Sequence, residues 1–300
     1  MARKRDVIIA VIIGFSFLVA MGLVGLMFIG LMSGDRDFAF AGLGGDIGIV
    51  EVYGVIDENS GRKWIRQIDR WAEKGSIEAI VIHINSGGGG VAISQEIYDA
   101  IRRAREEKPV VAALASVAAS GGYYIACGAD RVIANPGTLT GSIGVIVSFH
   151  TARDLLDKIG IGTETVKSGE LKDVFTYTRP MSKSEELMLR TVIMDTYEQF
   201  IEVIAEGRGM EKDDVYAFAD GSVFTGLQAY DYGLIDTIGG LKEAVDLAAD
   251  LAGLEGEPEV VRPYERKDVS LFDLMGNLLG QVTRVVENDL SGPQLMYLYK

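Results

Sequence analysis

Apolar and polar positions switch between two periods along this chain, and the switches mark out its elements. Ile47 to Val55 is a β-rich run, Gly61 to Glu73 has helical spacing, Ile77 to Ile84 is a nearly continuous apolar strand, and Val91 to Glu107 is an amphipathic helix. Pro109 to Leu114 predicts another strand, Ser120 to Ala129 a helix, and Arg131 to Ala134 and Gly144 to Val147 two short strands. This is a β-α-β rhythm, and strands without alternation belong to a sheet covered on both faces. A long helix is predicted from Ser182 to Gly207. Ser182 followed by Glu185 is a capping signature, and Leu189, Val192, Ile193, Tyr197, Ile201 and Ile204 form one apolar stripe. Core packing explains that stripe, although a subunit interface would use the same residues. Farther on, Glu257 to Pro263 predicts a strand and Leu271 to Glu287 an amphipathic helix, followed by an apolar tail from Pro293 to Lys300. That tail either docks on its own domain or threads into an active-site groove, its own or a neighbour's.

The longest apolar run is near the N-terminus. Val7 to Met32 is 26 residues without a charge, against the roughly 20 that a helix needs to cross the hydrocarbon core. Arg3, Lys4 and Arg5 precede it, which favours a cytoplasmic N-terminus and puts the rest of the chain on the outer side of a cell membrane. The competing reading is a cleaved signal peptide ending at Ala39-Phe40-Ala41. The run is too long for the roughly 7–15-residue apolar region of such a peptide, so an uncleaved signal anchor is the preferred reading. The expected organisation is an anchor over residues 1–32, a tether over 33–45, a catalytic domain over 46–256, and a C-terminal strand, helix and tail over 257–300.

Composition narrows the function further. A chain of 300 residues with 48% hydrophobic content has ample material for a core. A net charge of −14 argues against a nucleic-acid partner, which favours a basic patch that releases counterions from phosphates. The single cysteine, Cys127, cannot form an intrachain disulfide, and no Cys/His cluster has zinc spacing. No metal or cofactor is expected, and Cys127 reads as a small buried residue within a helix. The two histidines, His83 and His150, sit in or beside apolar runs and read as buried structural residues.

Two residues stand out chemically. Ser120 lies in Ala118-Ala119-Ser120-Gly121-Gly122-Tyr123-Tyr124, and Lys172 lies 52 residues later in Lys167-Ser168-Gly169-Glu170-Leu171-Lys172-Asp173. A serine hydroxyl needs a base to become a nucleophile, and a lysine serves when burial populates its neutral amine. Ser120 follows a strand and opens a helix, a place suited to acyl chemistry; a plain capping turn would use the same residues. The loop Asn85-Ser86-Gly87-Gly88-Gly89-Gly90 also joins a strand to a helix, where bare backbone can approach a ligand and aim N–H groups at developing negative charge. It lacks the lysine of a nucleotide-binding loop.

Together with Thr140-Gly141-Ser142-Ile143-Gly144-Val145, Val223-Phe224-Thr225-Gly226 and Gly233-Leu234-Ile235-Asp236, these motifs resemble, in order and spacing, the signal peptide peptidase A family in its half-length form. The likeness covers roughly Ile47 to Leu254. It implies an α/β fold of the Clp/crotonase-like type, a repeated ββα superhelix, behind an N-terminal transmembrane helix. It also implies a membrane-anchored peptidase that degrades residual signal peptides as a homo-oligomeric ring or dome, such as an octamer. Carried over residue by residue, Ser120 is the nucleophile, Lys172 the general base and Ser142 the hydroxyl that orients the lysine. Backbone N–H groups of Gly88 or Gly89 and of Gly121 form the oxyanion hole. Lys167 is the rival base. The family usually has proline where this chain has Gly87. The alternatives are a non-catalytic scaffold of the same fold and a Clp-like Ser-His peptidase that uses His150.

Overall fold

Three long parallel strands, β1 (Ile47–Tyr53), β2 (Ala79–Ser86) and β3 (Val110–Ala119), form the centre of the sheet. The computed structural model describes residues 46–148 and 150–262. The expected anchor, the tether, the helix from Leu271 and the tail lie outside the described residues. Among the described residues no helix is long and apolar enough to cross a membrane.

The chain is β-α-β, as its pattern predicts. Helix α1 (Glu58–Glu73) leads into β2, α2 (Val91–Glu107) into β3, and α3 (Gly121–Ala126) follows β3 directly. Strand β3 forks the sheet. Its first half, Val111 to Leu114, pairs with β4 (Arg131–Ala134), and its second half, Val117 to Ala119, pairs with β5 (Leu139–Gly141). The register between β2 and β3 shifts between Ile84 and Ser86, where the fork opens. The antiparallel β6 (Val223–Thr225) closes on β5, β7 (Thr237–Ile238) adds to β4, and β8 (Val260–Val261) adds to β1.

Each strand divides its side chains between two cores, as near-continuous apolar strands should. Ile80, Ile82 and Ile84 of β2 pack with Ile68 and Trp71 of α1, Ile97 and Ile101 of α2, and Tyr123 of α3. Ile47, Ile49, Ala79 and Val81 face the other way, onto Ala244, Val245, Ala248 and Ala249 of a C-terminal helix, Leu241–Ala252. Burying each of the larger side chains stabilises the fold by about 1.5–3 kcal/mol.

The long helix spans Lys183–Arg208 and has the capping box read from its sequence: Ser182 and Glu185 each bond the other's backbone. Its stripe is buried at Leu189, Ile201 and Ile204 and half-buried at Ile193 and Tyr197, whereas Val192 is 54% exposed. Ile201 and Ile204 join the main core and Leu189 is buried apart from it, so the stripe is a core face for part of its length.

Four local expectations change. The helix opened by Ser120 stops at Ala126, with Cys127 as its cap. No strand forms at Gly144 to Val147, because Gly141 (φ 79°) and Ser142 (φ 50°) turn the chain off the sheet just after β5. Strand β3 runs five residues past Leu114, through a stretch whose small residues hide its strand character. The strand expected over Glu257 to Pro263 shortens to Val260–Val261; Pro263 itself lies outside the described residues.

The two C-terminal motifs are structural fasteners. Asp236 accepts from the Val132 N–H at 2.7 Å and from Arg208 at 2.8 Å, and the Tyr123 hydroxyl donates to the Leu234 carbonyl at 2.7 Å. Thr225 caps the short helix Gly226–Asp231. Gly226 is required there because a Cβ would sit 2.0 Å from the Asn135 carbonyl oxygen.

Candidate active site

Ser120 occupies the junction where β3 ends and α3 begins. Its backbone is at φ 53°, ψ −122°, a conformation that costs a non-glycine residue of order 1–3 kcal/mol and persists only where the surroundings impose it. Here they do so through three hydrogen bonds. Ser120 N–H donates to the Gly141 carbonyl at 2.8 Å, and the Ser120 carbonyl accepts from the N–H groups of Tyr123 and Tyr124 at 2.9 Å each. Among the described residues the only other non-glycine with positive φ is Ser142, at 50°. Strain is therefore confined to the two serines singled out from sequence, and the Ser120–Gly141 bond brings their backbones side by side.

Opposite Ser120 lies the glycine loop after β2. The Gly88 N–H donates to Ser86 Oγ at 3.1 Å, and the Gly90 N–H donates to the Ile56 carbonyl at 2.8 Å. Among the described residues no acceptor is found for the N–H of Gly89 or Gly121. These backbones are in close contact. A Cβ on Gly88 would lie 2.7 Å from Gly121 N and 3.0 Å from Ser120 Cβ, and one on Gly121 would lie 3.3 Å from Gly89 N. A Cβ on Gly89 would collide with the Ile56 carbonyl oxygen at 2.1 Å. Gly87, in contrast, has open space around it. The requirement for glycine falls on positions 88, 89 and 121, and departure from proline at 87 leaves the close approach intact.

Ser120 opens into a cavity of about 40 Å³ lined by Gly89, Gly121, Val91, Tyr124, Val145 and Phe200, among others. None of the lining residues carries a charge at neutral pH, and burial pushes the Tyr124 phenol further up, to about 12. None of the aromatic and aliphatic lining residues was given a role from sequence: Tyr124 and Val145 lay within quoted motifs, Val145 also in an expected strand, and Val91 and Phe200 within expected helices. For Val91 and Tyr124 the available signal was their place just after the glycine loop and the candidate nucleophile.

Lys172 is not among the lining residues of this cavity, and neither is Ser142. Lys172 lies on a 3-10 turn, Glu170–Asp173, and is exposed. Lys167, the rival base, is already engaged: its ammonium contacts Asp173 Oδ1 at 2.5 Å and the Glu170 carbonyl at 2.7 Å. His150 is exposed and also outside the cavity, contrary to the buried role read from its apolar neighbours. His83 is half-buried, with Nδ1 2.6 Å from the Tyr53 hydroxyl. Cys127 is buried, and burial pushes its thiol up to about 12, which makes it inert as a nucleophile.

Residues 102–255, about half of the chain, match the family model for peptidase family S49. The chain belongs to peptidase family S49. The model for Clp protease matches residues 46–139, the part that contains β1 to β3 and Ser120. A putative protease of Synechocystis is 40% identical over 206 residues, which are 69% of this chain and 74% of that protein. A putative signal peptide peptidase of Enterococcus faecium is 36% identical over 62% of this chain, and Protease 4 of Haemophilus influenzae 35% identical over 68%. The matched regions make up 54% of the Enterococcus protein and 34% of the Haemophilus one. The match places this S49 chain, by its mixed α/β fold and its family, among the serine peptidases.

Proposed function

We propose that this S49 chain is a membrane-anchored endopeptidase that degrades signal peptides left after preproteins are cleaved, with Ser120 as nucleophile and Lys172 as general base. The observation that carries the reading is the strained Ser120 held against two backbone N–H groups, those of Gly89 and Gly121, that have no acceptor among the described residues. In this reading neutral Lys172 takes the Ser120 proton, Oγ attacks the peptide carbonyl, and the oxyanion is held by those two N–H groups. Protonated Lys172 then gives its proton to the leaving amine. A water activated by the lysine releases the acyl group from Ser120. Ser142, beside Ser120, orients the amine.

The cavity has room for roughly three water-sized groups, which suits a small apolar side chain before the scissile bond. Such residues are plentiful in the apolar cores of signal peptides. The run from Val7 to Met32 supports a single membrane crossing with the N-terminus in the cytoplasm and the catalytic domain outside.

A homo-oligomer fits what the single chain leaves uncovered. The segment from Val145 to Met181 exposes Ile146, Leu155, Ile159, Val166 and Phe175, with Lys172 among them. Packing that segment against a second copy would bury both its apolar side chains and the lysine, and a lysine base requires such burial.

The test is cleavage of a fluorogenic peptide with alanine or valine before the scissile bond, by wild type and by Ser120→Ala, Lys172→Ala and His150→Ala. Loss of turnover in the first two, with His150→Ala active, is the expected result. An inactive His150→Ala beside an active Lys172→Ala sinks the lysine assignment in favour of the Clp-like alternative.

A further inference from the structure

The turn that carries Lys172 is fixed at both ends. Asp173, the next residue, receives Arg179 Nη2 at 2.8 Å and Lys167 Nζ at 2.5 Å on the same oxygen, Oδ1. Arg179 in turn grips Glu185 with two parallel bonds, Nη1 to Oε2 at 2.8 Å and Nη2 to Oε1 at 2.5 Å. Glu185 is only 1% exposed, and its Oε2 also accepts the Ser182 N–H at 2.7 Å, so this end of the chain of bonds is locked into the start of the long helix. At the other end of the turn, Glu170 accepts from Ser184 Oγ at 2.6 Å, and its carbonyl accepts from Lys167. The Lys172 side chain has no hydrogen bond or ion pair among the described residues.

The network is partly buried, with Asp173 at 17% and Glu185 at 1% side-chain exposure, so it stiffens this segment where isolated exposed pairs would add little. A fork-to-fork arginine pair with a buried carboxylate adds directional precision as well. We infer that Arg179, held by Glu185, is a positioning residue that fixes Asp173 and through it the direction in which Lys172 leaves the turn. Lys167 completes the clamp and is thereby removed as a competing base. The inference rests on the Ser-Lys reading and assigns to it Arg179, Glu185, Asp173 and Lys167, which act through the Lys172 turn without touching substrate.

The experiment uses the full-length chain and records kcat and KM against pH for wild type, Arg179→Ala, Arg179→Lys, Asp173→Asn and Lys172→Ala. Arg179→Ala and Asp173→Asn are expected to lose at least about ten-fold in kcat, with KM within about two-fold, and to move the acid limb of the profile by about half a pH unit or more. Arg179→Lys, which keeps the charge without the fork, should recover part of the rate. If Arg179→Ala does not fold, the near-isosteric Asp173→Asn carries the test. A wild-type profile in both variants beside a dead Lys172→Ala overturns the clamp and leaves the dyad standing. A fall in kcat without movement of the limb overturns it as well, because the effect then bypasses the lysine. An active Lys172→Ala is a different failure, that of the Ser-Lys reading itself.

Discussion

At the scale of single residues, the site depends on where a side chain is forbidden. Gly89 and Gly87 are two residues apart in one glycine run, yet a Cβ at Gly89 would sit 2.1 Å from the Ile56 carbonyl oxygen while one at Gly87 meets nothing within 4 Å. Ile56 is also bonded to both flanks of Gly89, its N–H to the Gly88 carbonyl at 3.0 Å and its carbonyl to the Gly90 N–H at 2.8 Å. The clash therefore cannot be relieved without moving the Gly89 N–H away from Ser120. Gly89→Ala is expected to cut kcat by roughly 100-fold or more, the usual effect of losing one oxyanion donor, while Gly87→Ala stays within a few-fold of wild type. Peptide turnover by the two variants checks this, and equal activity would remove Gly89 from the site. Among the four consecutive glycines the resemblance pointed to Gly88 or Gly89 without choosing between them. The ranking comes from Ile56, which is adjacent only in space. The same applies to Ser120 and Ser142, whose motifs were legible but whose shared positive φ was not.

At the scale of elements, periodicity located most of the scaffold, because α2, β4 and the capping box at Ser182 are specified by their own residues. The pattern failed where tertiary pairing decided. The second half of β3 is a strand because β5 lies beside it, and Gly144 to Val147 is not one because Ser142 turns the chain away. Glu185 was legible as a capping residue, but its bond to Arg179 depends on a turn six residues upstream. That bond has a pH signature. Arg179 foremost, and the Ser182 backbone, lower the Glu185 carboxyl from the ordinary value of 4.5 to about 2, and Lys167 and Arg179 lower Asp173. Carboxyls held below their unfolded values contribute stability that is complete above those values and is lost as pH falls through the folded ones. Thermal stability should therefore fall from about pH 4.5 towards pH 2, and Arg179→Ala should flatten that slope, as melting curves across the range would show. Parallel slopes in wild type and variant would contradict the assignment. A neutral-pH effect belongs to a different pair. Arg208 is 7% exposed and depends on Asp236; among the described residues Asp236→Ala leaves that charge buried with only the Gly233 carbonyl at 3.1 Å and should cost about 3 kcal/mol in denaturant unfolding.

At the scale of the whole molecule, one chain carries every part proposed for catalysis, but Lys172 does not line the cavity that Ser120 opens into. Ser120, Gly89 and Gly121 meet at one cavity, while Lys172 is exposed on a segment whose large apolar side chains lack cover. Val192 and Met194 on the long helix are exposed as well, at 54% and 46%. In the proposed homo-oligomer, burial of Lys172 against a second copy would be what populates its neutral amine, and a single chain would stay inactive. If the lysine of one copy serves the serine of the next, Ser120→Ala and Lys172→Ala chains are each inactive alone but complementary when mixed. Co-expressed in equal amounts and randomly assembled, half of the sites would hold an intact serine, and half of those would receive an intact lysine from the neighbour. The expected activity is about a quarter of wild type, a consequence of head-to-tail contact in a closed ring. If each lysine served its own chain, no mixed assembly would contain a complete pair and activity would stay at the level of the single variants. Turnover by the co-purified mixture, with each variant alone as the baseline, therefore reports directly whether the dyad is closed between copies or within one.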